Sequence, residues 1–318
     1  MDARYIFFKK IRKLYLKMWP EQKIYLQPHT QGQKSSDLIK ERLADKAPCM
    51  ICRFGKTELD AIMTHLTLTN NQSFFPRVRD FITGKTEHFS WDNDIRYQLS
   101  NNAGFFPSVE PYLTKFTEYM LKVCTQIDIL GSWLPGESEL ISFFPNAKII
   151  ELIDLEPYCH KNPWSEELQG KKVLVVHPFT SSILSQYKKR ENLFHDKRVL
   201  PSFELRTFRA IQSIANTNVG FKTWFDALDY MCQEISKIDF EIALIGAGAY
   251  GLPLAAFIKS IGKKGIHLGG ATQILFGIQG KRWDERDFYQ KLYNEHWVRP
   301  AEDEIPKNFR RVESGCYW

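Results

Sequence analysis

The sequence predicts an α/β protein with a mostly parallel β-sheet and helices on both of its faces. Three observations carry that prediction. Short apolar, β-branched runs recur along the chain, each followed by a small-residue turn. A helical pattern follows each turn, and alternation at this pitch makes parallel strands joined by helical crossovers. Two crossings also place polar residues where such a sheet presents them: His177-Pro178-Phe179-Thr180-Ser181-Ser182 and Gly246-Ala247-Gly248-Ala249-Tyr250-Gly251. Ligands of parallel sheets bind outside the carboxyl ends of the strands, where helix starts offer free N–H groups to a phosphate.

In chain order, residues 4–19 set Phe7, Phe8, Ile11, Leu14, Tyr15 and Met18 at helical spacing. Lys9, Lys10, Arg12, Lys13 and Lys17 fill the other face. This is a basic amphipathic helix, which either docks on the domain through its apolar stripe or lies on an anionic membrane surface. Pro20 ends it, and residues 27–36 read as a connection. The chain therefore divides into a helix within residues 1–25 and one α/β catalytic domain over 26–318.

Within that domain the patterning gives a helix over 37–46, a strand over 48–54 and a helix over 56–65. Residues 70–108 are polar and aromatic with weak periodicity. A helix over 111–126, a strand over 127–131, a short helix over 136–144 and a strand over 148–153 follow. A polar loop carrying Pro157, Pro163 and Gly170 leads to the strand 173–176 and its helix. A helix near 221–237, the strand 242–245 with its helix, and a strand over 266–268 complete the set. The tail from Arg299 is polar and Pro-containing, and is expected on the surface.

A chain of 318 residues, 43% hydrophobic, can bury a large core without disulfide staples. The net charge of +6 is mild, and much of it sits in residues 9–17, so nucleic acid is not an expected partner. Of six cysteines only Cys49 and Cys52 form a C-x-x-C pair. A zinc site needs more ligands than that pair, so buried free thiols in a reducing cytoplasm are expected. No signal peptide and no apolar run of about 18 residues is read.

Arg53-Phe54-Gly55-Lys56-Thr57-Glu58 ends a strand and opens a helix. Gly55 permits a tight turn, while Arg53 and Lys56 can neutralise a diphosphate. Glu58 can take a proton from a hydroxyl, bind a metal, or simply favour the helix dipole. His177 stands at a strand end, and Thr180, Ser181 and Ser182 at a helix start, as caps or phosphate holders. Gly246, Gly248 and Gly251 match G-x-G-x-x-G in the right context. The acidic residue of a dinucleotide site, about 20 positions on, is absent, and Lys263-Lys264 stands there. The glycines then serve phosphate approach or close helix–sheet packing. His267 and Gln273 follow the next strand and face the same crevice, while Arg282 and Trp283 suit a sugar, a phosphate or the core. No P-loop, G-x-S-x-G or H-E-x-x-H motif is present.

The run from Arg53 to Glu58 resembles the Arg-Phe-Gly-Asp-Gly-Glu signature of the GT-D-type bacterial glycosyltransferases. The likeness extends more loosely around His177 and from Gly246 to Trp283. It implies a Rossmann-like fold and transfer of a sugar from a nucleotide-sugar donor to a glycan or lipid-linked acceptor. The setting it implies is assembly of surface polysaccharide or glycoprotein glycans. On this reading Glu58 is the base and His177 the second choice. Arg53, Gly55, Lys56, Thr180, Ser181, Ser182, Gly246, Gly248, Tyr250, His267 and Gln273 surround the donor.

One departure matters: Lys56 stands where the family has Asp, leaving Glu58 alone of the acidic pair. A lysine supplies the positive charge a metal would give the leaving diphosphate, so tight binding of manganese or magnesium is not expected. The expected location is the cytoplasm, peripheral at the inner face of the plasma membrane. Two alternatives stand beside this reading. One is a nicotinamide-dependent oxidoreductase, resting on the glycine pattern. The other is a non-enzymatic nucleotide- or glycan-binding assembly partner.

Overall fold

The computed structural model of the chain describes residues 3–70 and 73–318. Residues 1, 2, 71 and 72, which fall in the N-terminal helical stretch and in the segment 70–108, lie outside the described residues. In chain order the main elements are α1 (Ala3–Met18), α2 (Gln33–Ala44), β1 (Cys49–Cys52), α3 (Lys56–Asn70), α4 (Phe74–Ile82), α5 (Asn93–Gln98) and α6 (Tyr112–Cys124). There follow β2 (Ile129–Ser132), β3 (Lys148–Glu151), β4 (Lys172–His177), α7 (Thr180–Tyr187), α8 (Arg190–Leu193), β5 (Glu204–Arg209) and α9 (Trp224–Ser236). Last come β6 (Ile242–Ile245), α10 (Gly251–Ser260), β7 (Lys264–His267), α11 (Ala271–Leu275) and α12 (Lys281–Asp284), before short terminal turns.

The seven strands form one parallel sheet in the order β3-β2-β1-β7-β6-β4-β5. Side chains alternate across it as strand geometry requires. Met50, Cys52, Leu174, Val176, Ala243 and Ile245 face one core with α3, α6, α9 and α10. Cys49, Ile51, Val173, Val175, Ile242 and Leu244 face the other with α2, α7 and α11. Strands buried on both faces read as continuous apolar runs, which is why β1, β4 and β6 are visible in the sequence. The helices after β1 and β7 leave on opposite faces, so a crevice opens between these neighbours at their carboxyl ends.

Several expectations need correction. β5 was not foreseen, because Glu204, Arg206 and Arg209 interrupt its apolar positions. It is an edge strand, and charge is how edges are kept from pairing further. α2 begins at Gln33, inside the expected connection, and buries Ser35 and Ser36. The segment 136–144 is a 3-10 stretch, Pro135–Phe143. The tail is not a surface feature: Val312, Cys316 and Trp318 are buried. All six cysteines are free thiols.

The N-terminal helix docks through part of the expected stripe: Phe8, Ile11 and Tyr15 are partly buried, while Phe7, Leu14 and Met18 are not. Tyr5 and Phe8 pack with Val78, Phe81 and Phe89. Arg12 reaches inward, donating to the Phe81 carbonyl at 2.7 Å and pairing with Glu87 at 2.8 Å. Phe7, Leu14 and Met18 stay 58%, 65% and 63% exposed. Among the described residues no helix is long and apolar enough to cross a membrane.

Candidate functional site

The carboxyl ends of β1, β7, β6, β4 and β5 open into one cleft with about 1110 Å³ of empty space, part of it open to solvent. It gathers Arg53, Gly55, Lys56, Glu58, His177, Gly246, Gly248, Tyr250, His267 and Gln273 from the expected set. Trp133, Ser213, Arg282, Glu313, Tyr317 and Trp318 join them. Tyr317 and Trp318 come from the tail, where a Tyr-Trp pair in a polar stretch was the available signal. Trp133, 37% exposed, carried no pattern that set it apart from a core aromatic.

Thr180, Ser181 and Ser182 do not line the cleft. The backbone N–H groups of Ser181 and Ser182 donate to Glu304 Oε1 at 2.7 and 3.3 Å, and the Ser182 hydroxyl donates to Glu304 Oε2. The start of α7 therefore already holds an anion, a buried carboxylate of the tail. No local pattern announces a cap that arrives from so far along the chain.

Arg53 sits at the crevice between β1 and β7. Its guanidinium lies 4.8 Å from the Trp133 ring centre, and its Nη1 is 3.1 Å from where a Cβ on Gly269 would stand. Among the described residues it makes no ion pair, and its shielded Nε meets no acceptor. Burial pulls its pKa down, with Tyr317 and Glu58 acting the other way. Trp318 Nε1 is a second shielded donor of the cleft without an acceptor.

Glu58 is buried in the first turn of α3 and folds back over Gly55, where an added Cβ would fall 2.0 Å from Oε2. Burial raises its pKa, offset in part by its own backbone N–H and by Arg53. A buried carboxyl with a raised pKa holds its proton more strongly than an exposed one, which suits it to take a proton from a ligand hydroxyl. Lys56 lies at the rim, its ammonium 2.7 Å from Asp60.

His177 Nδ1 accepts from the Phe179 backbone N–H at 3.0 Å, which leaves the proton on Nε2. Burial lowers its pKa to about 3. The ring is thus neutral, with Nδ1 already occupied and the Nε2–H left as a donor. His267, also lowered to about 3 by burial and next by Arg53, donates from Nδ1 to the Ile245 carbonyl at 3.3 Å.

The glycine motif is explained by these rings. A Cβ on Gly246 would meet His177 Cδ2 at 2.5 Å and the Gly269 carbonyl at 2.7 Å. One on Gly251 would meet His267 Cε1 at 2.1 Å. Gly246 and Gly251 make room for histidines, while Gly248, at φ 53°, turns the chain at the cleft wall. Gly246→Ala is expected to cost about 1–3 kcal/mol through overpacking against backbone. Urea unfolding would show a lower midpoint at unchanged slope, and an unchanged midpoint would contradict this packing.

Two further residues of the cleft lining also brace its walls. Tyr250 stacks on Trp224 at 4.9 Å, its hydroxyl 3.1 Å from Ser213 Oγ. Gln273 donates to the Ile278, Gln279 and Tyr317 carbonyls at 3.3, 3.3 and 3.1 Å, fastening the tail beside the cleft.

Comparison with protein-family models, curated proteins and solved structures finds no match. The site is therefore read from its own chemistry. It is a concave, partly apolar cleft with a cation that makes no ion pair among the described residues, a buried carboxyl and neutral histidines, all perturbed in one place. The donor set does not fit a tightly held divalent cation. Lys56 brings an ammonium, not a ligand oxygen, to the rim beside Glu58. Among the described residues no three His, Cys, Asp or Glu side chains converge.

Proposed function

We propose that the chain is a glycosyltransferase that moves a sugar from a nucleotide-sugar donor to a glycan or lipid-linked acceptor. The observation that carries this reading is Arg53, a cation lining the cleft that makes no ion pair among the described residues. An ion left short of its counter-charge is costly, and a donor diphosphate completes it. Glu58 is the base. The acceptor oxygen bonds to the anomeric carbon as its proton passes to Glu58. The bond from that carbon to the diphosphate oxygen breaks, and the diphosphate leaves with the electron pair. Arg53 stabilises the charge that develops, and His177 offers a neutral N–H donor. Trp133 offers a ring face for stacking.

Thermal-shift measurements with UDP, GDP, CMP, their sugar conjugates and NAD(H), each with manganese or with chelator, test the reading. A ligand that binds the native state raises its melting temperature. Stabilisation by one nucleoside diphosphate that survives chelation is expected. Stabilisation by NAD(H) alone would replace this reading with the oxidoreductase. A donor that binds but is never turned over, whatever the acceptor, would leave a binding protein.

A lipid-linked acceptor is supported by α1. Phe7, Leu14 and Met18 are exposed beside Lys10, Lys13 and Lys17, which suits an anionic lipid surface. Leu14→Glu with Met18→Glu touches no docking contact. It is expected to weaken binding to phosphatidylglycerol vesicles, read by co-sedimentation, about a hundredfold, the order for two lost apolar side chains. Unchanged sedimentation would overturn membrane association through this face.

A further inference from the structure

Arg282 is the other half-buried arginine of the cleft, and unlike Arg53 it is occupied. Its guanidinium lies 4.6 Å from the Tyr317 ring centre, and its Nη2 pairs with Glu313 and lies 3.2 Å from Cys316 Sγ. The Gly269-Gly270 turn after β7 joins the two arginines. Arg53 Nη1 is 3.1 Å from the Cβ position of Gly269, and Tyr317 Cε1 is 3.0 Å from that of Gly270. Arg53, Arg282, Glu313 and Tyr317 all line the same cleft.

The segment that delivers Glu313 is held under strain. Glu313 and Ser314 have φ of 45° and 59°, the left-handed region that side chains disfavour. The Glu313 carboxylate is half exposed, and an exposed ion pair is weak enough to be exchanged for a better one. A diphosphate carries two anionic groups, and the cleft holds two arginines, of which only Arg282 is paired, with the half-exposed carboxylate of Glu313.

We propose that Glu313 stands in for the second phosphate of the ligand. Binding displaces it from Arg282, so that Arg53 and Arg282 each take one phosphate of a nucleoside diphosphate. The inference rests on the donor reading above and adds to it a second phosphate subsite and the residue that guards it. A monophosphate fills one subsite only, so the cleft discriminates by phosphate number before it reads the base or the sugar.

Calorimetric titration with inorganic pyrophosphate and inorganic phosphate, repeated with UDP and GDP, tests this. The wild-type chain should prefer pyrophosphate to phosphate. Glu313→Gln should tighten pyrophosphate about tenfold, the order of one charge-assisted contact released to the ligand. Arg282→Ala should weaken pyrophosphate by a similar factor. In the Glu313→Gln/Arg282→Ala double variant the gain should vanish, which a merely structural role of Glu313 does not produce. If the wild type binds pyrophosphate and Glu313→Gln leaves it unchanged or weaker, this inference falls and the donor reading stands. If no variant binds pyrophosphate or any nucleoside diphosphate, both fall.

Discussion

Arg53→Ala is expected to weaken nucleoside diphosphate binding by about a hundredfold, the order of a lost bidentate, charge-assisted contact. The fold should survive the change, because Arg53 makes no ion pair among the described residues and its Nε has no acceptor to leave behind. Stability should hold or rise as a desolvated charge is removed, less the packing on Trp133. Arg53→Lys keeps the charge and loses the planar fork, and should recover only part of the affinity. Titration calorimetry of the three proteins with UDP and GDP is the measurement. Equal affinities would take Arg53, and with it the main support for a phosphate-bearing ligand, out of the account.

Glu58→Gln is expected to lower transfer by roughly 10²–10⁴-fold, the usual worth of a positioned base, while leaving donor affinity intact. The pH dependence follows from its burial. The carboxyl must be ionised to act, and its pKa lies above the ordinary carboxylate value. The rate should therefore fall, as pH drops, at a higher pH than an exposed glutamate would give. That limb should be absent in the variant. Linkage has a definite sign here. A carboxyl raised in the folded state favours folding below its unfolded pKa, and that contribution is lost as pH rises through the folded value. Ionised Glu58 thus costs stability at neutral pH, and Glu58→Gln should melt higher than the wild type. Unchanged turnover would remove Glu58 from the chemistry whatever the melting temperature shows.

The centre of the sheet was legible because its strands are buried on both faces. Met50 and Ile51, Leu174 and Val175, and Ala243 and Leu244 point to opposite cores, so no polar residue breaks their runs. β5 was not legible, since Glu204, Arg206 and Arg209 belong to an edge. The cleft was legible where strand ends carry it, as at Arg53, Glu58, His177 and His267. It was illegible where distant segments complete it. Glu304 at the start of α7 and Tyr317 beside Gly270 are joined to their partners only by the fold. The glycine motif marked a real constraint, but the group it admits is imidazole from the neighbouring strands.

Dependence on residues 309–318 gives the cleft a place in time as well as in space. Residues 33 to 282 can form all seven strands and most of both cores before residues 309–318 leave the ribosome. Until those residues arrive, the wall made by Glu313, Tyr317 and Trp318 is missing, and Gln273 lacks the Tyr317 carbonyl it holds. A nascent chain would thus hold its shape well before it could grip a ligand, since synthesis delivers long-range contacts last.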